Sequence, residues 1–443
     1  MPRELAYRVL ERVEDDEAFS NRALDVELAE VEIDERDRRL ATRILYGVLT
    51  WRRALDAMLD DLVHGGIRSL DPEVLRILRI GLFQMVFLDR IPKHAVVDEA
   101  AEMTKSHANQ GAVSLVNAVL REASKTRDPT WWRSEDRENN PVEYLGARYS
   151  MPNWIVNRMI QLYGFEFAEK LVEAFTERPA LYIRFLADVD VSSIVDGDDQ
   201  LAIVPGLPKT VEADQMTPSI GDALAEREAI IQDLGSQLVA RFVGAKSGDR
   251  ILDGCAGLGG KTLTMADDAG EGARVLAVDS IKWKVDKLAR LAKQAPLEAQ
   301  VDTRASELQD LTVDEVGQFD RVLIDAPCSA LGVIRRHPEI KWHRRESDIP
   351  ALVKLQESLL EAGARFVEPG GTLVYSVCTL TSEEGPKQVD SFLERHPDFE
   401  RAEPPEGTEI DWSPHVDETG CLSLNPVDHD SDLFFAARLR RTD

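Results

Sequence analysis

Arg250-Ile-Leu-Asp253-Gly-Cys-Ala-Gly-Leu-Gly-Gly-Lys-Thr262 carries a short apolar run into a glycine-rich loop that leads toward a helical pattern. Its glycines let backbone approach a ligand with no Cβ in the way. The loop alone does not choose that ligand. A phosphate-cradling P-loop needs a glycine, any four residues, then Gly-Lys-Ser/Thr; Cys255 stands where the first glycine is required before Gly260-Lys261-Thr262. The next apolar run ends in Asp279, nineteen residues after Gly260, about where a carboxylate takes a ribose hydroxyl pair in dinucleotide-type folds. An adenosine-containing ligand is therefore expected. Methyl donor and nicotinamide cofactor both remain open, and the bland alternative for Asp279 is a solvated strand end.

Outward from this loop, short apolar runs alternate with helical patterns from about Gly248 onward, the texture of βαβ units on a parallel sheet. The expected strands are Arg250–Asp253, Arg274–Asp279, Arg321–Asp325, Thr372–Ser376 and Leu433–Arg438. Three end in Asp, at the carboxyl edge where open α/β sheets bind ligands. Upstream the pattern is helical as far as about Lys125: Leu5, Val9 and Val13 share a stripe, and Asp71-Pro72-Glu73 reads as a helix start. Val74–Leu88 is apolar nearly all round, which predicts the central helix of a small bundle. Breakers gather over Ser124–Pro141, a predicted linker. A helix near Trp154–Tyr163 and a strand at Leu181–Leu186 follow. The predicted organisation is a helical domain over 1–128, a linker with a small α/β domain over 129–235, and a Rossmann-like α/β catalytic domain over 236–443, its mixed sheet ending in an antiparallel strand.

No apolar run approaches the ~18 residues of a membrane helix, and the charged start, Met1-Pro2-Arg3-Glu4, shows no signal peptide. Cys255, Cys328, Cys378 and Cys421 are too scattered for a Cys-x-x-Cys metal clip or a disulfide framework. These features predict a cytoplasmic protein without a metal, and nothing requires more than a monomer. The net charge of −27 runs against nucleic-acid affinity, which rests on Lys and Arg at phosphates, so any RNA contact has to be local. Acidic runs such as Asp196-Gly-Asp-Asp199 and Val427-Asp-His-Asp-Ser-Asp432 fit a salty cytoplasm, where charge repulsion is screened, or an acidic surface around a basic cleft.

Phe319-Asp-Arg-Val-Leu-Ile-Asp-Ala-Pro-Cys-Ser-Ala330, with Tyr375-Ser-Val-Cys378-Thr fifty residues beyond the first cysteine, resembles the paired cysteine motifs of the Nop/Sun family of RNA cytosine-C5 methyltransferases. The resemblance spans nearly the whole chain and is nearest to the bacterial 16S ribosomal RNA cytosine-C5 methyltransferase B group. Gly332-Val-Ile-Arg-Arg-His-Pro-Glu-Ile-Lys-Trp342 looks like that group's loop. Ile91-Pro-Lys-His-Ala-Val-Val-Asp-Glu-Ala100 and Leu115-Val-Asn-Ala-Val-Leu-Arg121 are similar to its helical domain, itself similar to the antitermination factor NusB.

The resemblance implies S-adenosylmethionine as cofactor and RNA, in the first place 16S ribosomal RNA, as partner. It makes Cys378 the nucleophile and Cys328 the residue that assists release, with Asp325 bonding the base near N3. It also implies a donor pocket built from Cys255, Ala256, Gly257, Leu258, Gly259, Gly260, Lys261, Asp279, Asp302 and Asp325. The chemistry explains two thiols. Cytosine C5 is a poor carbon nucleophile until a thiolate adds at C6, and a second group then helps remove the C5 proton so that the first can leave. A working thiol needs a depressed pKa, which a helix starting in the turn Cys378–Glu384, with Ser382 as cap, is expected to supply. Two positions depart from the family: Gly257-Leu258 replaces the usual Ala-Pro, and Gly385 replaces an Asn after Glu383-Glu384.

Arg335-Arg-His-Pro-Glu-Ile-Lys-Trp-His-Arg-Arg345 is the densest cationic stretch. Arg335, Arg336, Lys341, Arg344 and Arg345 are the expected phosphate contacts and Trp342 the expected stacking face; a solvated surface loop is the alternative. Two other functions stay open on the same residues, a non-catalytic RNA-binding assembly factor and a methyltransferase acting on a transfer RNA cytosine.

Overall fold

The computed structural model describes residues 1–125, 136–186 and 189–442. The chain forms two compact units, Met1–Glu177 with Ile334–Arg344, and Arg178–Val333 with Arg345–Asp443. Most of the expected linker at Ser124–Pro141 lies outside the described residues.

The first unit is helical: α1 (Pro2–Asp15), α2 (Ser20–Ala29), α3 (Glu35–Leu62), α4 (Pro72–Phe87), α5 (Lys93–His107), α6 (Ala112–Ala123), α7 (Pro141–Arg148), α8 (Asn153–Tyr163) and α9 (Phe165–Ala174). The stripe Leu5, Val9 and Val13 is buried, and α4 is buried nearly all round, as its composition predicts. Two arginines of α4 are also buried because carboxylates meet them: Arg76 bonds Glu14 and Asp15, and Arg79 bonds Asp56 and Glu14. Asp71 precedes α4 without a side-chain cap. Helix α8, which the sequence reading grouped with the small α/β module, belongs to this unit.

Helix α3 bends at Trp51 (φ −101°, ψ 16°). The freed amides of Arg53 and Ala54 donate to the Ser150 hydroxyl at 3.0 and 3.3 Å. The carbonyls of Leu49 and Thr50 accept from Trp342 Nε1 at 2.6 Å and Lys341 Nζ at 2.8 Å. Side chains inserted into the i to i−4 ladder are an established cause of a helix kink.

The second unit opens with a small antiparallel sheet, order β2-β3-β1-β4, made of β1 (Leu181–Phe185), β2 (Leu201–Ile203), β3 (Thr210–Ala213) and β4 (Ala229–Ile231), with helices α10 (Val191–Val195) and α11 (Pro218–Ala225). The large sheet has the order β10-β12-β9-β8-β5-β6-β7. Its strands are β5 (Arg250–Asp253), β6 (Arg274–Asp279), β7 (Gln300–Ala305), β8 (Phe319–Asp325), β9 (Val367–Val377), β10 (Phe399–Arg401) and β12 (Phe434–Arg441), with β11 (Leu422–Leu424) pairing on β12. Strands β5 to β9 run parallel, and β12 is antiparallel to β9. The helices are α12 (Leu234–Phe242), α13 (Gly260–Ala269), α14 (Lys282–Gln294), α15 (Val313–Val316), α16 (Ile340–His343, inside the segment that joins the helical unit), α17 (Ile349–Arg365) and α18 (Pro386–Arg395). Arg184 of β1, wholly buried, ties the small sheet to α13 through Asp267 and Asp268.

From β5 the chain winds outward to β6 and β7, then crosses to β8 and β9 on the other side. This reversal leaves a crevice at the carboxyl ends of β5 and β8, the ligand position of open α/β sheets. Among the described residues no helix is long and apolar enough to cross a membrane.

Candidate active site

The loop after β5 turns sharply into α13, and its glycines are there for backbone reasons. Gly257 (φ +56°) and Gly259 (φ +89°) lie in the left-handed region that glycine enters without a Cβ penalty. A Cβ at Gly259 would also collide with Leu288 of α14. The Gly257 amide donates to Asp279 Oδ2 at 2.9 Å, and the Ile281 amide to Asp279 Oδ1 at 2.9 Å. Each carboxylate oxygen has a second lone pair, so Asp279 keeps two acceptor sites at the crevice. Cys255, Ala256, Gly257 and Gly260 are half-buried here and Leu258 is exposed. Burial and the carboxylates of Asp253 and Asp325 push the Cys255 thiol well up.

Asp302 is a correction. It pairs with Leu276 while Asp279 pairs with Ala305, so it lies three residues short of the sheet edge, about 10 Å at roughly 3.3 Å per residue. It is exposed and accepts from Gln300 Nε2 at 2.8 Å. It takes no part in the crevice.

Two further carboxylates close the crevice floor. Asp253, buried at the end of β5, accepts from Thr262 Oγ1 at 2.7 Å, while its Oδ1 is buried with no hydrogen-bond partner among the described residues. Burial, reinforced by the nearby Asp325 carboxylate, pushes the Asp253 carboxyl up to about 7. Its sequence position, a strand-ending Asp at the ligand edge, shows neither its burial nor its partner. Asp325, at the end of β8, accepts from Lys261 Nζ at 2.7 Å and from Ser376 Oγ at 3.0 Å. Lys261 is enclosed, and its ammonium also lies 5.0 Å from the Phe434 ring. The bonds from α13 and β9 fix the Asp325 side chain before any ligand arrives.

Register then brings the cysteines together. Asp325 pairs with Ser376 across β8 and β9, Cys328 follows three residues after Asp325, and Cys378 follows β9 directly. Their sulfurs are 3.4 Å apart, Cys328 buried and Cys378 half-buried. The Cys378 thiol is raised well above its ordinary pKa, first by its hydrogen bond with Cys328 and then by burial, with Lys261 opposing. The expected helix N-terminus under Cys378 is absent: α18 begins only at Pro386, with Gly385 at its cap position and no side-chain cap. Ser382 instead bonds Glu383. Cys421 is buried just ahead of β11, in the same apolar cluster as Cys328.

The cationic stretch is not the open loop its composition predicts. Arg335 and Lys341 are buried, and Lys341, which donates to the Thr50 carbonyl, is pushed down to about 7 by burial. Trp342 is half-buried, its N–H is taken by Leu49, and its ring lies 5.7 Å from the Arg52 guanidinium and 5.0 Å from Lys341 Nζ. Glu339, fully buried, accepts from the Ser20 amide and hydroxyl at 3.0 and 2.9 Å. Lys341 and Trp342 are thus internal parts of the helical unit. Arg336 and Arg344 are half-buried and Arg345 is exposed.

Comparison with known proteins agrees with this architecture. Residues 240–440 match the model of the family described as 16S rRNA methyltransferase RsmB/F, and residues 1–125 match the NusB family. The probable ribosomal RNA small subunit methyltransferase B of Synechocystis sp. is 31% identical over 99% of this chain and 99% of its own; the Bacillus subtilis protein of the same description is 33% identical over 90% and 89%. Among solved structures, PH0851 superposes with a TM-score of 0.82 over 100% of this chain and 99% of that one, at 23% identity. NSun6 from Pyrococcus horikoshii superposes with a TM-score of 0.56 over 66% and 98%, at 20% identity. With two family models matched in order along the chain and relatives of this identity over its full length, the protein belongs to the RsmB/F family of methyltransferases, carrying a NusB-family region ahead of the methyltransferase region.

Proposed function

We propose that this protein methylates C5 of a cytosine in RNA, in the first place small-subunit ribosomal RNA, using S-adenosylmethionine and a transient bond from Cys378 to C6 of the base. The observation that carries the reading is the pair of sulfurs 3.4 Å apart beside a tethered Asp325. The names of the relatives, ribosomal RNA small subunit methyltransferases, support the substrate.

The residues present fit the donor. Asp279 has acceptor capacity for a ribose hydroxyl pair, Gly257 faces open space where a side chain would stand, and the buried Asp253 Oδ1 has no hydrogen-bond partner among the described residues. When bound, the sulfonium supplies an electrophilic methyl group. The chain does the rest. Cys378 gives up its proton and its sulfur adds to C6, which makes C5 electron-rich. Asp325, held from both sides, orients the base through its N3 edge. After C5 has been alkylated, Cys328 takes the C5 proton, the C5–C6 double bond re-forms and the C6–sulfur bond breaks. Because the Cys378 thiol is raised, its proton has to leave to solvent as substrate docks, and Cys328 must itself be unprotonated by the time it takes the C5 proton. The target base must be unstacked to expose C6. Arg336, Arg344 and Arg345 are the remaining candidates for phosphate contacts.

The test is methyl transfer from labelled donor to deproteinised small-subunit RNA, with the product nucleoside identified. Label in 5-methylcytidine of ribosomal RNA is expected. Label in transfer RNA alone would move the substrate, and tight RNA binding without transfer would make the protein an assembly factor.

A further inference from the structure

The mechanism above leaves one charged side chain unused that lies deep beside both cysteines. Glu384 is fully buried, and a buried carboxylate is costly unless its lone pairs are met. They are met from three elements. Oε1 accepts from the Ser329 amide at 2.7 Å and from Gln356 Nε2 at 2.9 Å. Oε2 accepts from the hydroxyls of Ser329 at 2.6 Å and Thr381 at 2.7 Å, with Thr379 Oγ1 at 3.2 Å. Gln356, on α17 and itself fully buried, gives its other amide hydrogen to the Pro327 carbonyl at 3.0 Å. The main chain of Glu384 is pinned as well, since its carbonyl accepts from Tyr375 OH at 2.7 Å.

The positions of these donors matter more than their number. Ser329 follows Cys328 and Thr379 follows Cys378, and their hydroxyls also bond each other at 2.6 Å. Two loops leaving two different strands are thus fastened, at the residue next to each thiol, to one carboxylate. We propose that Glu384 is a positioning residue that sets the spacing of Cys328 and Cys378, so that one sulfur attacks C6 while the other lies within reach of C5. It touches neither sulfur nor substrate and acts through Ser329 and Thr379. Misplacing reacting groups by about 1 Å is enough to cost on the order of 10²-fold in rate, and five donor groups from four residues around the carboxylate oppose such drift.

The inference rests on the two-thiol reading, so its test separates the two. Glu384→Gln keeps the shape but turns one oxygen into a donor facing donors. In full-length protein, diamide-driven disulfide formation between Cys328 and Cys378 reads their spacing directly, since a disulfide forms only within narrow geometry. Compared with wild type, Glu384→Gln is expected to form this disulfide roughly tenfold more slowly and to lose at least about tenfold in kcat, with KM for RNA within about twofold. Wild-type rates of disulfide formation and turnover in the variant would overturn the clip while leaving the methyl-transfer reading intact. Absence of methyl transfer in wild type would sink that reading instead, and the disulfide rates would still report on the clip. Should Glu384→Gln fail to fold, Ser329→Ala keeps the carboxylate and removes one tether; an unchanged disulfide rate there would equally overturn the proposal.

Discussion

Asp279 was legible in the sequence from its strand end and its spacing to the glycine loop, and Cys328, Cys378 and Asp325 from the family resemblance of their motifs. Asp253 was placed only as a strand-ending Asp at the ligand edge; its burial and the donors around Glu384 were not legible, since nothing in a linear sequence marks a carboxylate as buried or names its partners. Asp302 was misplaced by three positions because the exposed edge strand β7 hides where it ends. Asp253 yields a prediction at this scale. Its folded pKa, about 7, lies above that of an unfolded Asp, so the stabilising contribution is complete below about pH 4 and is lost as pH rises through 7. Asp253→Asn removes the penalty of ionisation. Denaturant unfolding is expected to show the variant gaining on wild type by about 1–2 kcal/mol between about pH 5.5 and pH 8. A gap that narrows over that range would contradict the burial argument.

At the scale of elements, the periodicity that predicts α1 and α4 and the apolar runs that predict β5, β6, β8, β9 and β12 held because those segments face a core. Strands β7, β10 and β11 escaped notice: β7 is an exposed edge, and the other two have three residues each. The kink in α3 was equally invisible, because its partners lie about a hundred and about three hundred residues away. Those partners make it testable. Trp342→Phe keeps an aromatic ring but leaves the Leu49 carbonyl without its donor, which is expected to lower the unfolding free energy by about 1–2 kcal/mol. Calorimetric or chemical unfolding equal to wild type would mean that the kink does not depend on that bond.

For the whole molecule, the sequence reading found helical and α/β halves but assumed each to be one continuous stretch. The helical unit instead takes in residues 334–344, whose arginines, lysine and tryptophan look like a solvated nucleic-acid loop until their burial is known. That segment begins six residues after Cys328. The division of labour between the two thiols is tested by incubating wild type, Cys328→Ala and Cys378→Ala with RNA and methyl donor and separating the products under denaturing conditions. A slow-migrating protein–RNA adduct is expected to accumulate with Cys328→Ala, whose release step is lost, with no adduct or methyl transfer for Cys378→Ala. Adduct with Cys378→Ala alone would exchange the two roles, and full turnover by both variants would contradict the thiol mechanism.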